Sequence, residues 1–152
     1  MQKRRGISPV IATVIIVAVT IAVAIAVAFW MTGIVGLFTS AEKLEIVALY
    51  PLPTSNGWEV NVTVKNTGTT PTSVDNIFIN GIPIGQCANN ATANPNVASS
   101  PIAINPGEQT SIKLTLYKDK KCGATTFTAG GSIEVKLHTT GGKEYPKLAV
   151  LP

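Results

Sequence analysis

The sequence predicts an α+β chain in which one long apolar α-helix at the N-terminus is followed by an all-β head. Three observations carry this reading. No charged residue occurs from Ile7 to Ala41, the composition changes abruptly after Glu42, and the remaining chain consists of short alternating hydrophobic runs separated by turn residues. The expected divisions are a basic leader at 1–6, an apolar stem at 7–40 and a head at 41–152.

The 35 uncharged residues would form a helix of about 50 Å at ~1.5 Å per residue, longer than the ~30 Å hydrocarbon core of a bilayer. Thr20 to Phe29 reads TIAVAIAVAF, an alternation of period two that would suit a strand in water. In lipid a lone strand leaves its backbone groups unsatisfied, and no second such segment exists to close a barrel, so the segment must be helical. Ser8 is placed to cap it, and Pro9 suits the first turn, where its missing N–H is not needed. Ala18, Ala22 and Ala26 recur every four residues and make a shallow groove for a neighbouring helix. Thr13 and Thr20 share a face and can bond either the backbone or a neighbour. Gly33 and Gly36 predict a bend or flexible junction between stem and head. Lys3, Arg4 and Arg5 stand immediately before the apolar run, and positive charge is retained on the cytoplasmic side of a membrane. The head is therefore expected outside the cell.

In the head, strands are expected at Leu44 to Tyr50, Trp58 to Asn66, Asn76 to Ile79, Ile82 to Ile84, Gln109 to Tyr117, Ser132 to Thr139 and Lys143 to Leu151. Trp58, Val60, Val62 and Val64 share one face, with Glu59, Asn61 and Thr63 on the other. Asn80-Gly81 between two apolar runs signals a tight hairpin. Pro106-Gly107 and Gly141-Gly142 mark further turns. About seven short strands in this length point to an immunoglobulin-like β-sandwich. The stretch from Gln86 to Pro101, rich in Asn, Ala, Ser and Pro, reads as an exposed loop.

The formal charge is +4. Without the three leader cations, nine Lys face eight Asp plus Glu, so the rest is nearly neutral and offers no basic stripe for nucleic acid. Lys118, Lys120 and Lys121, interrupted by Asp119, read as a solvated loop. Cys87 and Cys122 both fall in the exported part, where oxidising conditions favour a disulfide; the alternative is two independent buried thiols. Two Cys and the lone His138 lack metal-ligand spacing. Asn61-Val62-Thr63 and Asn90-Ala91-Thr92 are candidate N-glycosylation triplets. The carboxylates are scattered, Glu42 and Glu45 being the closest pair, and His138 sits in an alternating strand. No catalytic residue, cofactor or small-molecule substrate is therefore expected.

The leader KRRG followed by ISPVIATVIIVAV closely resembles the N-terminus of archaeal type IV pilins, whose class III signal peptide is removed by a membrane prepilin peptidase. The resemblance covers about the first forty residues, and its specificity lies in the joint occurrence of basic leader, Gly, ISPV-type start and uninterrupted apolar helix. Carried over, Gly6 is the last leader residue and Ile7 the first mature one, with Ser8 and Pro9 opening the helix. Bacterial pilins usually have Glu at the fifth mature position, here Ile11, whereas archaeal members commonly lack it. The resemblance implies a structural subunit that polymerises into an extracellular filament for adhesion and surface attachment. Its implied partners are other copies of itself, the membrane before assembly, the peptidase and the pilus assembly machinery. The implied filament-core surface comprises Ile11, Val14, Ile15, Ala18, Ala22, Ile25, Ala26 and Phe29. An archaellin, the subunit of the archaeal swimming filament, shares the leader and helix. A permanently membrane-anchored surface domain is the third reading.

Overall fold

A computed structural model describes residues 8–152 and, within them, every side chain except those of 37–39. The leader cations Lys3, Arg4 and Arg5 and the expected cleavage point between Gly6 and Ile7 lie outside the described residues. The chain divides into two compact units, the second of which is Ala41–Pro152.

The first unit is the helix α1 (Pro9–Thr39), 31 residues long. Ser8 stands at its N-cap and Pro9 at its first position. The Ser8 carbonyl accepts bonds from the N–H groups of Ile11 at 3.0 Å and Ala12 at 3.1 Å, but the Ser8 hydroxyl makes no capping bond. Gly33 and Gly36, the expected junction, both lie within the helix, which ends at the extended Ser40. A glycine costs about 1 kcal/mol relative to Ala inside a helix, too little to interrupt a ladder with apolar residues on either side.

The head contains β1 (Leu44–Thr54), β2 (Gly57–Asn66), β3 (Thr72–Ile79), β4 (Ile82–Pro83), β5 (Ala91–Asn94), β6 (Ile102–Ile104), β7 (Gln109–Tyr117), β8 (Lys121–Cys122), β9 (Thr125–Thr126), β10 (Ser132–Thr139) and β11 (Glu144–Val150), with a 3-10 turn at Ile84–Gln86. One sheet runs β1-β2-β7-β5; the other runs β11-β10-β3, with β4 and β6 both beside β3. Every pairing is antiparallel. This is the α+β class expected, a long apolar helix followed by an antiparallel sandwich. Alternation builds the core: Trp58, Val60, Val62 and Val64 of β2 pair across to Leu116, Leu114, Ile112 and Thr110 of β7, and all seven apolar members are buried. Val74, Ile77 and Ile79 of β3 and Ile133, Val135 and Leu137 of β10 are buried from the other sheet. Each such aliphatic side chain contributes about 1.5–3 kcal/mol on burial.

Local chemistry fixes the connections. Asn80 and Gly81, at φ 50° and 81°, form the two-residue turn that lets Ile79 pair with Ile82. Gly142, at φ 77°, turns the chain between β10 and β11. Asn66 is fully buried, with Nδ2 donating to the carbonyls of Thr70 and Ile104 and Oδ1 accepting from the Gly68 N–H, each at 2.9 Å.

Several strands depart from expectation for identifiable reasons. β1 continues past Tyr50 to Thr54 despite Pro51 and Pro53, because it is an edge strand and one side of its backbone needs no partner. Its register shifts between Ile46 and Ala48, and Lys147 Nζ donates to the Ile46 carbonyl beside that bulge at 2.6 Å. β3 begins at Thr72 because a register shift opposite His138 and Thr139 lets Val74 and Ile77, three apart, both face inward. The stretch from Gln86 to Pro101 is not simply an exposed loop: it holds β5, paired with β7, and buries Cys87, Ala91 and Val97.

The first residues of the head are stitched to it. Ala41 N–H donates to Thr69 Oγ1 at 2.9 Å, and its carbonyl accepts from the Thr69 N–H at 2.8 Å. The Lys43 carbonyl accepts from the N–H groups of Thr67 at 2.9 Å and Gly68 at 3.0 Å. Glu42 Oε1 accepts from Thr72 Oγ1 and its backbone carbonyl from Lys143 Nζ, both at 2.8 Å. Glu42 is thus half-buried within the head rather than solvated at a helix end, while Glu45 is exposed.

Candidate functional site

The surface of α1 is the feature that demands an explanation. From Pro9 to Gly36 it is long and apolar enough to cross a membrane, and none of this span is buried. Its hydrophobic residues surround the axis instead of forming one stripe, which marks a helix made for apolar surroundings on all sides. Ile11, Val14, Ile15, Ile25 and Phe29 are 52–75% exposed, and Ala18, Ala22 and Ala26 are exposed with them. Thr13, Val14, Val17, Ala18 and Ile21 line a shallow furrow along one side, where Ala18 is the low point.

The described hydroxyls of Thr13, Thr20 and Thr32 on α1, and that of Ser40 at its end, are turned inward to the helix's own backbone. Thr13 Oγ1 donates to the Val10 carbonyl at 2.9 Å and Thr20 Oγ1 to that of Val17 at 2.8 Å. Thr32 Oγ1 lies 3.0 Å from the carbonyls of Ala28 and Phe29, and Ser40 Oγ donates to Gly36 at 3.0 Å. These threonines consequently present methyl groups outward, and among the described residues of α1 an apolar medium meets no unpaired hydroxyl. The amino-acid letters alone left open whether these bonds would go to backbone or neighbour.

In the head, Cys87 and Cys122 are disulfide-bonded, with Cα atoms 4.5 Å apart and both residues buried. The bond ties the 3-10 turn before β5 to the small β8-β9 hairpin. Lys118, Lys120 and Lys121 are exposed around that hairpin. His138 is half-exposed on β10, its Nδ1 2.6 Å from Asp75 Oδ1. The Phe78 ring meets His138 edge-on at 6.2 Å between centroids, and Lys136 Nζ lies 5.0 Å from its centre. The Asp75 contact was not legible beforehand, because the β3 bulge that brings Asp75 beside His138 leaves no mark in the spacing. Among the described residues no three His, Cys, Asp or Glu side chains gather as a metal site. Asn61 and Asn90, of the two glycosylation triplets, are both half-buried.

Fold and site together define a head-and-stem protein: an apolar helix of membrane-spanning length joined to an antiparallel β-sandwich. No protein-family model matches the chain, and no curated protein matches it. Among solved structures, the apo PCuAC domain from PmoF1 is similar with a TM-score of 0.48 and 15% identity, covering 74% of this chain and 98% of that one. The archaeal flagellum of Methanospirillum hungatei strain JF1 is similar with a TM-score of 0.46 and 13% identity, covering 93% of this chain and 88% of that one. Likenesses so distant leave the functional assignment to this chain's own residues.

Proposed function

We propose that this chain is a non-catalytic structural subunit of an archaeal type IV pilus, made with a leader cut between Gly6 and Ile7. The observation that carries the proposal is the surface of α1, charge-free, apolar on every side and unburied. Such a helix is stable in lipid and equally stable among identical helices, since both surroundings are apolar. The subunit waits in the membrane with its head outside, then joins a bundle in which Ile11, Val14, Ile15, Ala18, Ala22, Ile25, Ala26 and Phe29 pack against other copies. At ~25 cal/mol per Å², burial against several neighbours supplies most of the cohesion. The soluble heads coat the filament and meet the surface to which the cell attaches.

N-terminal sequencing of protein sheared from cells, with electron microscopy of the same material, tests this. Filaments whose subunit begins at Ile7 are expected. Protein that stays in the membrane and forms no filaments favours the anchored domain. Filaments whose loss stops swimming but spares attachment favour the archaellin.

A further inference from the structure

β5 stands at one edge of its sheet, with β7 as its neighbour. Asn90, just before it, accepts from the N–H of the opposed Tyr117 at 3.0 Å. Bonded and non-bonded pairs alternate along an antiparallel ladder, so Thr92 and Asn94 turn their backbone groups to β7 while Ala91 and Ala93 turn theirs to the open edge. Against that edge lies a recess of about 220 Å³, partly open to solvent. Ile84, Ala91 and Ala93 give it an apolar lining, and Gly85 leaves it room, because a Cβ added there meets nothing within 4 Å. Asn89 lines it from before β5, Asn96 from after, and Thr92 from the strand itself. The Asn89 amide and the Thr92 hydroxyl have no hydrogen-bond partner among the described residues. Asn96 engages its Oδ1, which accepts from the Ala98 N–H at 3.2 Å, and keeps Nδ2 free.

The walls are fixed before any ligand arrives. The Cys87–Cys122 bond and the Asn90 Nδ2 donation to the Lys121 carbonyl at 2.9 Å fasten the turn that carries Asn89. Buried Val97 fastens the loop that carries Asn96. Ala88 and Asn89 sit at φ 51° and 63°, in a left-handed region that an alanine adopts only when its surroundings impose it. A ligand is thereby spared the entropy of ordering these walls.

We propose that this recess binds a neutral sugar ring at the end of a surface glycan. No charged side chain lines it, so an anionic or cationic ligand gains no partner there. A wholly apolar ligand strands the amides of Asn89 and Asn96, and a polar group covered without a partner is costly. A peptide strand added to the edge of β5 has to run out past both of its ends, where Asn89 and Asn96 stand. A pyranose meets every part of the lining. Its hydroxyls donate and accept, as do the amides, Thr92 and the free backbone groups of Ala91 and Ala93, and its C–H face covers the apolar residues. The volume is below the ~300–1,000 Å³ of sites for drug-sized molecules, which leaves space for one ring and puts the rest of the glycan in solvent.

This sugar site deepens the attachment role proposed above by naming the chemistry that the head meets, but it needs only the folded head. A subunit that forms no filaments still binds the sugar, and filaments assemble whether or not it binds, so the two readings fail separately. The test is titration of the 15N-labelled mature full-length chain in detergent with glucose, galactose, mannose and N-acetylglucosamine as methyl glycosides. A trisaccharide ending in the sugar that binds is added next, with glucuronate as the charged control. Saturable shifts of the Gly85, Asn89, Ala91 and Ala93 amide signals, with a Kd of roughly 1–10 mM, are expected for a neutral sugar and for its trisaccharide. Asn89→Gly, which keeps the left-handed backbone, and Gly85→Leu, which fills the recess, should each weaken binding about tenfold or more while thermal unfolding is unchanged. If one variant unfolds early, the other decides. No saturable shift up to roughly 50 mM of any neutral sugar, glucuronate bound as well as the neutral sugars, or wild-type affinity in the folded variants overturns the site. Binding of the monosaccharide without its trisaccharide overturns the glycan end.

Discussion

Between Pro9 and Gly36, α1 seals no side chain from water, whereas every second residue along much of β2, β7 and β10 is fully enclosed. Both regions are rich in Val and Ile. What separates them is how polar residues are distributed: the head interleaves Glu, Asn, Thr and Lys with its apolar residues, and the stem has nothing charged to interleave. An alternating strand can turn one face to a partner sheet and the other to water, and so completes its burial within one chain. A helix apolar on all sides cannot, and its burial is completed by lipid or by other copies. The stability of the head therefore belongs to the monomer, and that of the stem to its surroundings.

If this division holds, head mutations should move the unfolding of the head and leave the stem's assembly chemistry alone, with the reverse for stem mutations. Residues 41–152 produced alone are expected to be a soluble, cooperatively unfolding monomer. In that fragment Leu114→Ala, at a fully buried position, should cost about 3–5 kcal/mol in denaturant unfolding. A loss below about 1 kcal/mol would mean that the sandwich core does not support the head by itself. Replacing Cys87 and Cys122 together by Ser should remove about 3–4 kcal/mol, and non-reducing mass analysis of exported protein should find the chain two protons lighter than its dithiol form. Asn66→Ala removes the Nδ2 donations to the Thr70 and Ile104 carbonyls and leaves the Gly68 N–H with the Lys43 carbonyl alone, for an expected loss of about 2–3 kcal/mol by thermal unfolding.

On the stem the largest informative change is Ala22→Leu. Leu remains favourable in lipid, so insertion and cleavage should be normal, but in a close-packed bundle the added bulk costs on the order of 1–3 kcal/mol at each repeated contact. Mature cell-associated protein with few filaments is the expected result by immunoblot and electron microscopy, and abundant wild-type-like filaments would reject packing at Ala22. The smallest effect is expected at Gly33. With nothing within 4 Å of an added Cβ, Gly33→Ala should leave assembly intact and favour the helix by about 1 kcal/mol. Loss of filaments in that variant would restore Gly33 as a required point of bending.

The parts legible in the sequence were those with a local cause. A charge-free run of this length has one stable conformation in lipid, and Asn80-Gly81 between apolar runs has one compact turn. Alternation in β2, β7 and β10 specifies both strand and buried face. The parts that escaped have causes distant in the chain. Ala91–Asn94 lacks β-branched and aromatic density, and becomes a strand because β7 supplies its partners. The bulges at Val47 and near Asp75 reset the alternation, so apolar residues three apart share an interior. At the candidate site the apolar character of α1 was plain in its letters, whereas the inward turn of its threonines required the helix. The two Asn triplets look alike as sequence; only the fold shows the Asn90 amide donating to the Lys121 carbonyl.

In the filament proposed above, the stitching of Ala41, Glu42 and Lys43 onto the head bears on how each subunit holds under tension. A pull transmitted along the chain from Ser40 does not arrive at the free end of β1. It arrives at bonds that diverge to the loop after β2, to the start of β3 and to the β10-β11 turn, through Thr67 to Thr69, Thr72 and Lys143. Load entering at three places in the sandwich must break bonds together instead of peeling one edge strand pair by pair, and such an attachment yields abruptly at high force while showing little creep below it.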